Sequence, residues 1–329
     1  LIDRNGDQLK TIVLQLASEW SLPAGFRHWI KAHNYFCSTL VDRIVTGYPH
    51  TEADALAGDL GYEDRLLDTG EIFHLWVIEG PSHLKAELPL HEIGLNVPWT
   101  DDLKPYRERK VRVLNGAHTM TMAVAYLSGL DTVKSAVDDP KVGRFMYGGI
   151  FDEILPQLDL AEQEKRGFAE SVLERFQNPH ICHKWLDISL NSISKFKTRC
   201  LPTLLDTIEH TGKVPQRMAF ALAALIAFYK GERNAQGRFV AQRGDAAYPV
   251  RDDDPVLVFF DQLWKMHSSE NFEALMPLVQ KMLAHTVFWG RDLAGVDGLT
   301  SQVAHYLFII ITQGMRPALD NLLETLASK

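Results

Sequence analysis

Lys110-Val111-Arg112-Val113-Leu114-Asn115-Gly116-Ala117-His118 sets Lys, Asn and His at a K-x-x-x-x-N-x-x-H spacing and opens the most helical part of the chain. In an α-helix, about 100° per residue puts Asn115 about 140° and His118 about 80° around from Lys110, so all three can face one cleft. Such a cluster has a use in catalysis. A lysine can exchange a proton with a hydroxyl or carbonyl oxygen, while an Asn amide and a His N–H can donate to an oxyanion developing there. A surface helix with a routine Lys, a turn-forming Asn-Gly and a core His has the same spacing, so the pattern alone leaves both readings open.

Downstream of this stretch, apolar residues recur near every 3.6 positions in segments around 119–137, 141–158, 161–176, 180–198, 200–211, 215–230, 254–266, 270–285 and 299–327, which predicts helices. Gly231 to Asp254 is polar and Gly-rich and reads as a loop. Upstream, residues 7–20 and Gly25 to Ala32 read as helices. Tyr35 to Val45 and Phe73 to Ile78 are rich in β-branched and aromatic residues and read as strands, with 51–70 acidic and helical or turn-like between them. Pro105 fits a first helical turn, so a helix is expected to begin near Lys104 to Tyr106. No fixed-period repeat occurs.

A chain of 329 residues can bury a substantial core and hold two domains. The formal net charge of −8 gives no support for a nucleic-acid partner. Three cysteines, Cys37, Cys182 and Cys200, lack C-x-x-C spacing and argue against a disulfide framework, which suits a reducing, cytoplasmic setting. The longest apolar runs, Met218 to Tyr229 and Tyr306 to Thr312, fall short of the ~20 residues a membrane span needs, so no membrane role is expected. Leu1 is not Met, and the first residues have neither the basic start nor the apolar core of a signal peptide, so the chain reads as one entered partway through.

No G-x-G-x-x-G follows a predicted strand, and Gly143-Arg144-Phe145-Met146-Tyr147-Gly148-Gly149 fits neither a P-loop nor a dinucleotide fingerprint. No G-x-S-x-G elbow, H-E-x-x-H pair or kinase set occurs. His180-Ile181-Cys182-His183 carries zinc-compatible side chains but is too crowded for the usual two-pair arrangement, so no metal is expected. Val41-Asp42-Arg43-Ile44 sets a carboxylate and a guanidinium in apolar sequence, where charges need pairing, a function or an exit to solvent. Lys195 and Arg199 are four apart and can grip a carboxylate together, although a solvated basic face has the same pattern.

Together, Phe36 to Pro49, Lys104 to Lys110, Leu114 to Thr119 and Phe220 to Asn234 resemble the mannitol dehydrogenase family of long-chain polyol and uronate dehydrogenases. The resemblance runs nearly end to end, with its most specific motifs in the first half. It implies an N-terminal Rossmann-type dinucleotide-binding domain followed by a mainly helical domain that supplies the catalytic residues. The fold class expected here is therefore mainly α: the helical C-terminal domain of a long-chain dehydrogenase with a few short strands, most of the N-terminal Rossmann domain being absent from this chain. Residues 1–34 are expected to be a remnant of that domain and 35–329 the catalytic domain.

The resemblance further implies NAD as cofactor, a small-molecule sugar acid as substrate, Lys110 as general acid/base, and Asn115 and His118 on the reacting oxygen. Asp42 is then cofactor-binding and Lys195 substrate-binding, with Arg199 the second candidate cation for a uronate carboxylate and Arg175 a weaker one. A catalytic lysine needs its pKa lowered, which burial or the nearby Arg107, Arg109 and Arg112 can do. Two positions depart from the polyol-oxidising pattern. Asp187 stands where those members tend to have Arg, eight residues before Lys195, and Arg107 stands where they tend to have Glu, with Glu108 one place later. The choice between a uronate and a mannitol-type polyol stays open, as does a non-catalytic helical module. Oligomeric state is not readable.

Overall fold

The structure is a computed structural model that describes residues 3–266 and 271–328. It divides into two compact units, Leu1–Lys110 and Val111–Lys329.

The first unit is built on short strands. Strands β1 (Ser38–Asp42), β4 (Leu75–Glu79) and β5 (Trp99–Thr100) form one sheet in the order β1-β4-β5, and β2 (Val45–Gly47) pairs with β3 (Thr69–Gly70). β1 runs antiparallel to β4, with Ser38 opposite Glu79 and Asp42 opposite Leu75; β4 and β5 are parallel. Side chains alternate across a strand, so Ser38, Leu40 and Asp42 share the buried face of β1 while Val41 is exposed. Leu40, Leu75, Val77 and Leu103 form the core on that face, with Phe73 and Tyr106 against it. The helix Asn5–Glu19 is fastened to β1 through Asn5, whose amide donates to the Thr39 carbonyl at 2.8 Å and accepts from the Thr39 N–H at 2.9 Å. Gly6 makes that approach close, because a Cβ there would lie 2.4 Å from the Phe36 carbonyl oxygen.

These strands and this core correct the expectation of a mainly α catalytic domain preceded by a remnant. The first third of the chain is an α/β unit with its own sheet. Its strands are two to five residues long, too short for alternation to announce a sheet, and the inward place on β1 next to Leu40 is taken by a carboxylate.

The second unit is helical, as the periodicity predicts. Gly116–Leu127 and Gln216–Phe228 are buried almost all round, which is why they are apolar on every face, and both lie at the centre of the unit. Leu299–Gln313 packs on Gln216–Phe228, and Phe272–Leu283 packs on Leu299–Gln313. The segment expected at 270–285 begins on a residue outside the described span. The expected loop at 231–254 is instead largely a three-stranded antiparallel sheet: β6 (Gly231–Arg233), β7 (Phe239–Arg243) and β8 (Ala246–Pro249). Gly237 and Gly244 supply the positive φ of its two turns, and Phe239, Ala241, Tyr248 and Val250 turn inward. Glycine there punctuates hairpins rather than loosening a loop. No described helix is long and apolar enough to cross a membrane.

Candidate active site

Pro105 sits in the first turn of an α-helix over Lys104–Arg109, which gives way to a π-helical turn over Lys110–Asn115 and then to α-helix again over Gly116–Leu127. A π turn takes in one extra residue, which sets everything beyond it back by roughly 100°. Gly116 allows a close neighbour: its missing Cβ would lie 3.3 Å from the Arg199 carbonyl oxygen, and the Cys200 thiol donates to the Gly116 carbonyl at 3.6 Å. Burial pushes that thiol up to about 12, so Cys200 is a packing residue.

In the first unit, Lys110 Nζ donates to the Val41 carbonyl and lies 4.0 Å from Asp42 Oδ1. Asp42 is 1% exposed, so its position beside an ammonium is a paired one. Arg43 does not share that place: its Nε donates to the Glu71 carbonyl at 2.8 Å, and the Glu71 carboxylate accepts from the Ile44 N–H at 2.6 Å. The arginines expected to act on Lys110 are engaged elsewhere. Arg107 pairs with Asp3, Arg109 lies over the Tyr106 ring at 5.3 Å, and Arg112 pairs with Asp206 and donates to the Gln157 carbonyl at 3.1 Å.

In the second unit, His118 is 5% exposed and stacks on Phe176, with ring centroids 4.1 Å apart and 16° between planes. His183 meets its ring edge-on at 5.0 Å and Trp185 at 6.1 Å. Burial first, then His183, Arg199, Arg175 and Lys195, hold His118 well below the usual imidazole range, so it is neutral at pH 7. His183 is lowered to about 4, mainly by burial. The His118 Nε2 and Asn115 Nδ2 atoms are buried and have no hydrogen-bond partner among the described residues. Thr121 Oγ1, further along the same helix, is buried without a partner as well; buried polar atoms are usually bonded, which makes Asn115 and His118 candidate ligand contacts.

Lys195 and Arg199 both lie on Ser192–Arg199 and are half-buried. Lys195 Nζ donates to the Ile188 carbonyl at 2.8 Å, and burial with the nearby Arg199 lowers it to about 8. Arg199 donates to Thr119 Oγ1 at 3.3 Å, one residue on from His118. Arg175 is 9% exposed and contributes to the same positive field. Asp187 pairs with Arg251 at 3.2 Å, and Arg251 also donates to the Leu186 carbonyl at 2.5 Å. No group of metal-binding side chains occurs among the described residues.

Sequence reasoning missed His183, Phe176 and Trp185 around His118, and Asp252 near Lys195. Only His183 carried a signal, and it pointed toward metal. The others are common residue types whose role comes from position.

An α/β unit followed by a larger helical unit, with a Lys-Asn-His helix running through the join in sequence, defines a two-domain protein of the long-chain dehydrogenase type. The chain belongs to the mannitol dehydrogenase family: residues 102–310 match the mannitol dehydrogenase C-terminal domain and residues 1–92 match the mannitol dehydrogenase Rossmann domain. The second match overturns the expectation that most of the Rossmann domain is absent. That expectation rested on the missing glycine fingerprint, whereas strands β1 to β4 and Asp42 of the first unit lie within the matched residues.

The chain is 50% identical over 318 residues to an altronate oxidoreductase of Yersinia pestis bv. Antiqua (strain Nepal516), which covers 97% of the chain and 64% of that relative. It is 49% identical over 322 residues to an altronate oxidoreductase of Enterobacter sp. (strain 638), covering 98% of the chain and 64% of the relative. The chain thus spans just under two thirds of the length of these relatives. Among solved structures, Pseudomonas fluorescens mannitol 2-dehydrogenase, in a ternary complex with NAD and D-mannitol, is similar with a TM-score of 0.73 at 23% identity, covering 97% of this chain and 60% of that one. A D-sorbitol dehydrogenase in substrate-free form is similar to the same degree. At that identity the likeness is one of fold.

Proposed function

We propose that the protein is an NAD-dependent oxidoreductase that interconverts D-tagaturonate and D-altronate, with Lys110 as general acid/base and Asn115 and His118 on the reacting oxygen. The observation that supports this reading is the pair of buried donors, Asn115 Nδ2 and His118 Nε2, without a hydrogen-bond partner among the described residues, on the helical stretch that follows Lys110 in sequence. The names of the relatives at about 50% identity supply the sugar acid.

The residues present fit the nicotinamide end of the cofactor. Asp42 ends a strand as a buried carboxylate beside Lys110, where a polar edge has a use. No G-x-G-x-x-G turn occurs in the chain, so no residue is assigned to the pyrophosphate. When bound, NADH supplies the hydride to the keto carbon. The chain's own residues answer the charge that builds on the oxygen. Asn115 donates through its amide, and neutral His118 donates through Nε2 in the tautomer that places the proton there; both bonds strengthen as the oxygen becomes anionic. Lys110 holds a proton at Nζ and delivers it to complete the alcohol, and in the reverse direction Nζ receives one. Lys195 and Arg199 take the carboxylate that distinguishes a uronate from a polyol, with Arg175 adding to the field.

A fructuronate reductase or a mannitol-type polyol dehydrogenase would use the same three residues. Asp187, paired with Arg251, stands where the polyol-oxidising members tend to have Arg, and that departure argues against simple mannitol recognition. NADH oxidation by the purified protein with tagaturonate, fructuronate and fructose separates these readings. The expected order has tagaturonate first, and a higher kcat/KM on fructose would overturn the assignment.

A further inference from the structure

Lys195 and Arg199 lie on a helix whose start is held by something other than its own cap. Asn191, the N-cap of Ser192–Arg199, has φ 56° and ψ 46° and makes no side-chain cap bond. Its N–H donates instead to the Arg251 carbonyl at 3.0 Å. The next amides turn to a carboxylate and a phenol from elsewhere in the chain. Ile193 N–H donates to Asp252 Oδ2 at 3.4 Å, Tyr229 O–H donates to the same oxygen, and the Ser192 and Ile193 amides also face the Tyr229 oxygen. Tyr229 is fully buried and stacks on Phe260 at 4.3 Å, so the carboxylate is backed by a rigid ring.

The pair stands where an anion has electrostatic work. Lys195 lies in the first turns of this helix, where the helix dipole opposes a cation. The charged and titratable groups acting around it are Arg199 on its own helix, Arg251 and Asp252 after β8, His183 before Trp185–Ile188, and His118 on Gly116–Leu127. Of those that act on Lys195 itself, only Asp252 favours its ammonium form; burial, Arg199 and Arg251 oppose it.

We propose that Asp252, backed by Tyr229, is the positioning residue of the carboxylate grip, holding the first turn of Ser192–Arg199 in place and keeping the Lys195 ammonium charged. This rests on the reading of Lys195 as a contact to the substrate carboxylate. The consequence has a sign. An ammonium at about 8 loses its charge as pH rises through that value, so uronate binding weakens on the alkaline side. Without the Asp252 charge, the same loss comes at lower pH.

The test compares the parent protein with Asp252→Asn, Asp252→Glu and Tyr229→Phe, first confirming folded structure by circular dichroism. Competitive labelling with acetic anhydride across pH, read at Lys195 by mass spectrometry, reports the ammonium directly and needs no activity. In Asp252→Asn its midpoint should fall by about one pH unit, with Asp252→Glu restoring most of the shift and Tyr229→Phe giving a smaller fall. The alkaline limb of 1/KM for tagaturonate should move with it, while KM for fructose stays in place. An unchanged Lys195 midpoint in Asp252→Asn overturns the proposal, as does an equal rise of both KM values, which marks a structural role alone. A shifted midpoint with an unmoved tagaturonate limb upholds the Asp252–Lys195 coupling and overturns the assignment of Lys195 to the substrate.

Discussion

At the scale of single residues, the two units offer different environments to their candidate groups. Lys110 has a carboxylate and a carbonyl beside it, whereas His118 is enclosed by aromatic rings and positive charge. Replacing Lys110 with Ala should lower kcat by about a hundredfold to ten-thousandfold with the fold intact, since general acid/base groups contribute on that order; a near-normal rate would remove Lys110 from the mechanism. Lys195→Ala should raise KM for tagaturonate by about tenfold or more, the worth of a charge-assisted hydrogen bond, and leave fructose little changed. Lys110, Asn115 and His118 were proposed from spacing, and Lys195 and Arg199 from their separation of four. Asp252 was not legible near Lys195, because 57 positions part them and no local pattern links a loop carboxylate to a distant helix.

Elements set what those residues can do. The π turn over Lys110–Asn115 breaks regular α periodicity within the K-x-x-x-x-N-x-x-H stretch. A second buried carboxylate governs an element rather than a site. Glu153, on the π-helical turn Gly149–Ile154, accepts the Arg217 and Met218 N–H groups at 2.8 and 2.9 Å and so caps Gln216–Phe228, one of the central helices. Burial raises it from 4.5 to about 7 despite those bonds. The folded state therefore binds the proton more tightly than the unfolded one, and stability from this group is present below about 4.5 and lost as pH rises through about 7. Thermal melts across that window should fall with rising pH in the parent and fall less in Glu153→Gln; parallel curves would show that Glu153 does not set the slope.

For the molecule as a whole, a net charge of −8 coexists with a cluster in which Arg175, His183, Lys195 and Arg199 all act on one imidazole. An overall acidic surface repels polyanions, while a half-buried cationic cluster admits a small carboxylate. Heparin at about 0.1 M salt should therefore leave tagaturonate turnover unaffected, because screening at that ionic strength confines attraction to about 10 Å; potent inhibition by heparin would place the cations on an open face. The sequence by itself determined the helical second unit, the start near Pro105 of the helix that precedes it in the chain, and the trio's spacing, since each depends on neighbours within a few turns. It also carried the family resemblance. Tertiary structure alone decided that the first 110 residues form an α/β unit, that 231–254 is a sheet, and that Asp252 and Tyr229 hold the helix bearing Lys195. Short strands and charge pairs take their meaning from partners far away in the chain, and only folding sets those partners beside them.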